Sequence, residues 1–291
     1  MNLAKRLAGA PISWGVCEVP GWGIELAPRR VLSEMQQLGL TATELGSNGY
    51  LPTDPAELKD LCAEFAIEVI GGFVPLVLHE PAELDATIDA ARRTAQLMSA
   101  AGATMFVTSA VTDWNWGPRT NFTADDWNFV AKSLTIIDEV IDEFGMTQAI
   151  HPHLNTVVET RADIEALLDV SDVGWTLDVG HMQIGGMDPL DFIDVAFDRI
   201  RHVHLKDVIM DLAAPVFAKE QSIMEGVQAG MFCNLGSGDV PIGDIVTELE
   251  ARGYDRWYVL EQDAAITSDE PEAGNGPFLD VLASIDYLAT I

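Results

Sequence analysis

The sequence is poor in cysteine, poor in positive charge and free of long apolar runs. Its three cysteines, Cys17, Cys62 and Cys233, are widely spaced and form no CxxC pair, which argues against a disulfide framework and a thiolate zinc site. The 16 Lys and Arg stand against 46 Asp and Glu, a formal net charge of −30. That balance opposes binding to nucleic acid or to anionic membrane surfaces, and most of these carboxylates are expected on a solvated exterior. No apolar stretch approaches the roughly 20 residues of a membrane-spanning helix. The opening "MNLAKRLAGAPISW" lacks the unbroken apolar centre of a signal peptide, so a cytoplasmic protein is expected. No Gly-rich phosphate turn follows the first strand candidate, which counts against a nucleotide-binding doubly wound sheet.

What is present is a regular alternation of short apolar runs and amphipathic ones. Strands are expected at 7–13, 42–45, 68–76, 104–110, 147–153, 174–179, 200–206 and 257–263. Helical spacing is expected at 28–39, 55–66, 83–101, 123–144, 161–169, 188–197, 241–252 and 276–289. No Gly/Ser/Pro linker separates the units. Eight βα units in 291 residues predict an α/β fold, a single (β/α)8 TIM barrel over residues 1–291. A doubly wound sheet is the alternative. Helix entries support the count: Asp54 before Pro55 in "LPTDPAEL", and Thr123 and Thr160 each with an acid three residues on, as in capping boxes. Residues 209–240 break the rhythm and predict a long loop insertion after the seventh strand, where barrels carry lids and walls.

Barrel active sites form at the C-terminal ends of the strands, so the polar residues there are the candidates. The fifth strand runs into His151 and His153, the sixth into Asp178 and His181, the seventh into His204 and Lys206, and the eighth into Glu261. Five of the six histidines lie at or beside these ends. In "RHVHLKDV", His202, His204 and Lys206 occupy alternate positions and share one face of a strand. His202, deeper in the strand, reads as structural. His79, after the third strand, reads as a loop residue. One His, one Asp, one His and one Glu from successive strands suit a divalent cation with N/O ligands. Mn2+ or Co2+ is favoured, with Zn2+, Fe2+ or Mg2+ as alternatives, and either His151 or His153 supplies the fifth-strand ligand. Glu44 ends the second strand and Ser13–Trp14 the first. Trp14, Trp22, Trp114 and Trp116 stand in loops where aromatic faces can pack on sugar-like rings.

The runs "GAPISWGV", "TELGSNGYLP", "GGFVPLVLH", "HPHLNTVVET", "LDVGHMQIGGMDP", "HVHLKDV", "AGMFCNLGSGDV" and "YVLEQD" resemble the xylose isomerase-like barrel superfamily, and within it the inosose dehydratase family. The resemblance spans nearly the whole chain. It implies a metal held by residues of the fifth to eighth strands, which fall here on His151, Asp178, His204 and Glu261. Isomerases of the superfamily carry Glu at the place of His151. A shuttle between two glutamates is therefore altered, which favours a one-way elimination, and dehydratase-like relatives also read H-x-H there. The implied activity is loss of water from a cyclic keto-polyol such as 2-keto-myo-inositol through an enediolate, with isomerisation or epimerisation as the alternative. The expected catalytic residues are His153 and Glu261 as bases and His181 and Lys206 as acid or electrostatic groups. Ser13, Trp14, Glu44, His153, His181 and Lys206 are the expected substrate contacts. A small polyol or sugar is the expected partner, with no nucleic acid and no membrane, and a homo-oligomer is left open.

Overall fold

The computed structural model describes residues 3–291. Among the described residues ten strands occur in chain order: β1 Leu7–Gly9, β2 Ala42–Glu44, β3 Glu68–Leu76, β4 Met105–Ala110, β5 Thr147–Ile150, β6 Trp175–Asp178, β7 Ile200–Leu205, β8 Asp207–Val208, β9 Phe232–Cys233 and β10 Tyr258–Leu260. Eight of them form a closed barrel in the order β1-β10-β7-β6-β5-β4-β3-β2, and β8 and β9 pair as a separate ribbon. The helices are α1 Pro28–Gln37, α2 Pro55–Glu64, α3 Leu84–Ala100, α4 Ala124–Asp142, α5 Arg161–Val170, α6 Val179–Ile184, α7 Pro189–Ala196, α8 Met210–Phe217, α9 Ile223–Gln228, α10 Ile242–Ala251 and α11 Pro277–Leu288. The chain divides into two compact units, one of Met1–Ile70 with Val203–Ile291 and one of Gly71–His202.

The first unit holds β1, β2 and β10 with the second half of β7. Parallel registers set Ala8 beside Val259 and Val259 beside His204. Ala8, Ala10, Ala42, Ile70 and Val259 pack as a buried cluster with Ile12 and Trp257 against it. Small side chains on β1 leave room for larger ones across the sheet. In the second unit β4 pairs with β5, and Met105, Val107 and Ala149 form a second cluster. Helix α4 turns Trp127, Val130, Leu134, Ile137 and Ile141 inward, a spacing of three and four residues that puts them on one face. Burying each such aliphatic side chain contributes about 1.5–3 kcal/mol.

Most strands end earlier than the sequence pattern predicts, and proline explains two of the cases. β1 stops at Gly9 and gives way to a 3-10 turn over Pro11–Trp14, since Pro11 has no N–H for the ladder. β5 stops at Ile150; the backbone N–H of His151 still donates to Thr108 O at 2.7 Å, after which Pro152 interrupts the pattern. Residues 209–240, expected as a loop, contain α8, α9 and β9.

Candidate active site

In the second unit the site is built on the ends of β5 and β6. His151 is buried, and its Nε2 lies 3.1 Å from Asp178 Oδ2. Asp178 is also the N-cap of α6: its Oδ1 accepts the backbone N–H of His181 at 2.8 Å. The spacing in "DVGH" is therefore that of a helix cap, which leaves one carboxylate oxygen for His151. Beyond Pro152, the backbone N–H of His153 donates to Val158 O at 3.0 Å, and the Thr156 hydroxyl donates to His153 O at 2.7 Å. This turn fixes the His153 ring, whose Nδ1 lies 2.8 Å from Leu154 O. A carbonyl only accepts, so Nδ1 carries the proton and the neutral ring keeps its lone pair on Nε2. The rings of His153 and His181 sit 4.0 Å apart, centroid to centroid.

An aromatic wall stands beside these imidazoles. Phe73 meets His151 edge-on at 5.6 Å and lies 5.7 Å from His153. Trp116 stacks on Phe73 at 6.1 Å, tilted 16°, and edges onto His153 at 5.9 Å. Trp116 has a positive φ of 57°, a costly conformation for a bulky residue. The turn that imposes it is closed by Asp113 Oδ1, which accepts the N–H groups of Asn115 and Gly117 at 2.6 and 3.1 Å.

In the first unit the site is built on β2, β7 and the segment after β10. His204 Nε2 lies 3.0 Å from Glu44 Oε1, and its Nδ1 lies 2.8 Å from Glu261 Oε2. The other Glu261 oxygen is 2.7 Å from Lys206 Nζ, and Asp263 Oδ1 is 2.8 Å from the same ammonium. Lys206 is fully buried, with the face of Phe232 4.8 Å from its Nζ. Glu44, Glu261 and Asp263 formally carry three negative charges here against one on Lys206. Buried carboxylates in such excess are costly unless a further cation joins them. This donor set of imidazole and carboxylate fits a divalent ion. Burial pushes the thiols of Cys17 and Cys233 up to about 12, so neither offers a thiolate near neutral pH.

Three expected substrate contacts are buried and engaged within the protein. Trp14 is 0% exposed and its indole N–H donates to buried Glu34 at 2.8 Å, so its ring belongs to the core. Ser13 is buried; its hydroxyl accepts the N–H of Gln262 at 2.9 Å and lies 3.3 Å from Leu260 O, holding the backbone around Glu261. Glu44 is buried and engaged by His204, a contact that fixes the orientation of the imidazole. His202 is buried. Four residues escaped the sequence reading: Asp263, Phe73, Phe232 and Asp207. Asp263 had a signal, since it stands two residues beyond Glu261 as Lys206 stands beyond His204. Phe73 and Phe232 have none, because only the folded chain brings their rings to His151 and Lys206, whereas Asp207 directly follows Lys206 in the chain.

Residues 32–283 match the family described as xylose isomerase-like TIM barrel, and the chain belongs to that family. Among its relatives, the inosose dehydratase of Geobacillus kaustophilus (strain HTA426) is 30% identical over 275 residues, covering 90% of this chain and 89% of the relative. The rhizopine catabolism protein MocC of Rhizobium meliloti is 31% identical over 271 residues, covering 89% and 82%. The probable 3-DHS dehydratase AsbF of Bacillus anthracis superposes with a TM-score of 0.72 at 18% identity over 98% of both chains. The IolI protein, whose structure holds a zinc atom, gives 0.71 at 13% identity, covering 98% and 97%. These two structural likenesses establish the fold.

Proposed function

We propose that the protein is a metal-dependent hydro-lyase removing water from a cyclic keto-polyol such as 2-keto-myo-inositol (scyllo-inosose). One observation supports this most: the His–carboxylate pairs at strand ends occur in a chain whose relatives, aligned over nine-tenths of its length, are named inosose dehydratase. His151, Asp178, His204 and Glu261 would hold the cation, with Mn2+ or Co2+ the best match to two imidazoles and two carboxylates. When bound, such an ion supplies Lewis-acid stabilisation of negative charge on the ketone oxygen. A cytoplasmic setting and a small-molecule partner belong to the same proposal.

The protein's own residues carry the protons. His153 presents Nε2 as the base, because Nδ1 is committed to the Leu154 carbonyl; it takes the hydrogen α to the ketone. Glu261 is the weaker candidate base, since both its oxygens are engaged by His204 and Lys206. His181 packs on the His153 ring and restrains it. As the C–H pair becomes the new double bond, the β C–O bond breaks. The departing oxygen takes a proton from the Lys206 ammonium and leaves as water, so one proton is taken up and one delivered.

The test is turnover of metal-reconstituted protein on a panel of inososes and ketoses, read by mass spectrometry. Loss of one water from an inosose is the expected result. An isomeric product would move the reading to an epimerase. No product with any metal and substrate would overturn it.

A further inference from the structure

We infer that Phe232 is a positioning residue for the Lys206 ammonium, and that Asp207 holds it there. The inference rests on the reading in which Lys206 acts on the substrate. Lys206 is 0% exposed and Phe232 3%. Glu261 and Asp263 approach Nζ at 2.7 and 2.8 Å, and the Phe232 ring faces it at 4.8 Å. An aromatic face attracts an ammonium while excluding water, most strongly where both are desolvated. The ring thus stabilises the cation without competing for its N–H groups as another carboxylate would.

Phe232 comes from 26 positions beyond Lys206, so something must return the chain. The next residue, Asp207, does this. Its buried carboxylate accepts four backbone N–H groups: Val208 at 2.9 Å, Gly236 at 2.8 Å, Gly238 at 2.9 Å and Val240 at 3.1 Å. Val208 pairs with Phe232 in the antiparallel ribbon, and the Ile209 N–H donates to Met231 O at 2.8 Å. Gly238 has no alternative there, because a Cβ would stand 2.3 Å from Asp207 Oδ1 and 2.6 Å from Val208 O. Lys206 and the residue that fastens its cover are therefore neighbours in sequence.

The experiment compares Phe232→Leu and Phe232→Met, which keep apolar bulk and lose the ring face, with Phe232→Tyr, which keeps it. Metal content and circular dichroism are measured on each. The expected result is kcat about tenfold lower in the Leu and Met variants, KM within about twofold of the parent, metal content unchanged, and most of kcat restored in the Tyr variant. Asp207→Asn, which loses an acceptor oxygen, should reproduce the loss. Undiminished kcat in Phe232→Leu and Phe232→Met, a change confined to KM, or Phe232→Tyr as impaired as Phe232→Leu would overturn the inference. Reductive methylation of Lys206, followed by peptide mass spectrometry, separates this from failure of the proposed reaction. Without any turnover in the parent, a Lys206 methylation rate about tenfold higher in Phe232→Leu still supports the positioning role, and an equal rate overturns it.

Discussion

The imidazole of His204 has Glu44 on its Nε2 side and Glu261 on its Nδ1 side, at 3.0 and 2.8 Å, and the two contacts predict different phenotypes. His204→Ala removes a donor at a barrel end and should strip most of the metal while leaving the circular dichroism spectrum intact. Normal metal content in that variant would place the ion elsewhere. Glu44→Gln keeps the donor but loosens its orientation, so metal affinity should fall about 10–100-fold, as for other outer-shell carboxylates. Lys206→Met should retain the metal and lose about a hundredfold or more in kcat; undiminished turnover would make this lysine a bystander. His79 offers a test away from the site. Burial holds its pKa below the usual 6.5, against the opposing pull of Glu80, Asp126 and Asp113. The unfolded chain therefore takes up this proton first as pH falls. The stability contribution is present above pH 6.5 and is lost on acidification from there through the lower folded-state pKa. His79→Phe should flatten the slope of the urea midpoint against pH in that window, and an unchanged slope would refute the assignment.

Among the elements, the capping boxes are the most direct link from sequence to stability. Thr160 accepts the N–H of Asp163, whose carboxylate returns to the Thr160 N–H at 2.7 Å and is also paired with Arg119. Thr160→Ala should cost about 1 kcal/mol in chemical denaturation, and a loss under about 0.3 kcal/mol would mean the cap is redundant. The barrel strands and the helices between them were legible because apolar residues recur at period two or at three and four, with Asp, Thr and Pro marking the entries. Helix α6 was not: it has six residues, too few for a period to show, and its cap is the same Asp178 that reads as a ligand. Helices α8 and α9 lie in a segment whose polar and apolar residues follow no long repeat. The strand-end rule pointed to His151 and Asp178, which lie against each other, and to His204, Lys206 and Glu261, which do likewise. The burial of Trp14 and Ser13 was not legible, because a residue just past a strand can turn inward when a 3-10 turn follows.

For the whole molecule, the sequence reading expected one domain, and we propose that residues 1–291 unfold as one. The transition in urea should be single and coincident by tryptophan fluorescence and far-UV circular dichroism; two separated transitions would refute this. Its midpoint should rise with salt. A net charge of −30 repels itself, and going from about 0.1 M to about 1 M NaCl shortens the Debye length from about 10 Å to about 3 Å. A midpoint that falls or stays constant would show that attractive surface pairs dominate instead.

The pairing of β1 with β10, Leu7 beside Tyr258 and Gly9 beside Leu260, bears on how the protein is made. During synthesis one flank of β1 must wait unpaired until some 250 further residues have left the ribosome, and an open strand edge is a template for wrong partners. Its brevity, three residues, limits that hazard. A released chain truncated before residue 258 should accordingly be far more dependent on chaperones than one truncated after residue 261, although only a few residues separate the two.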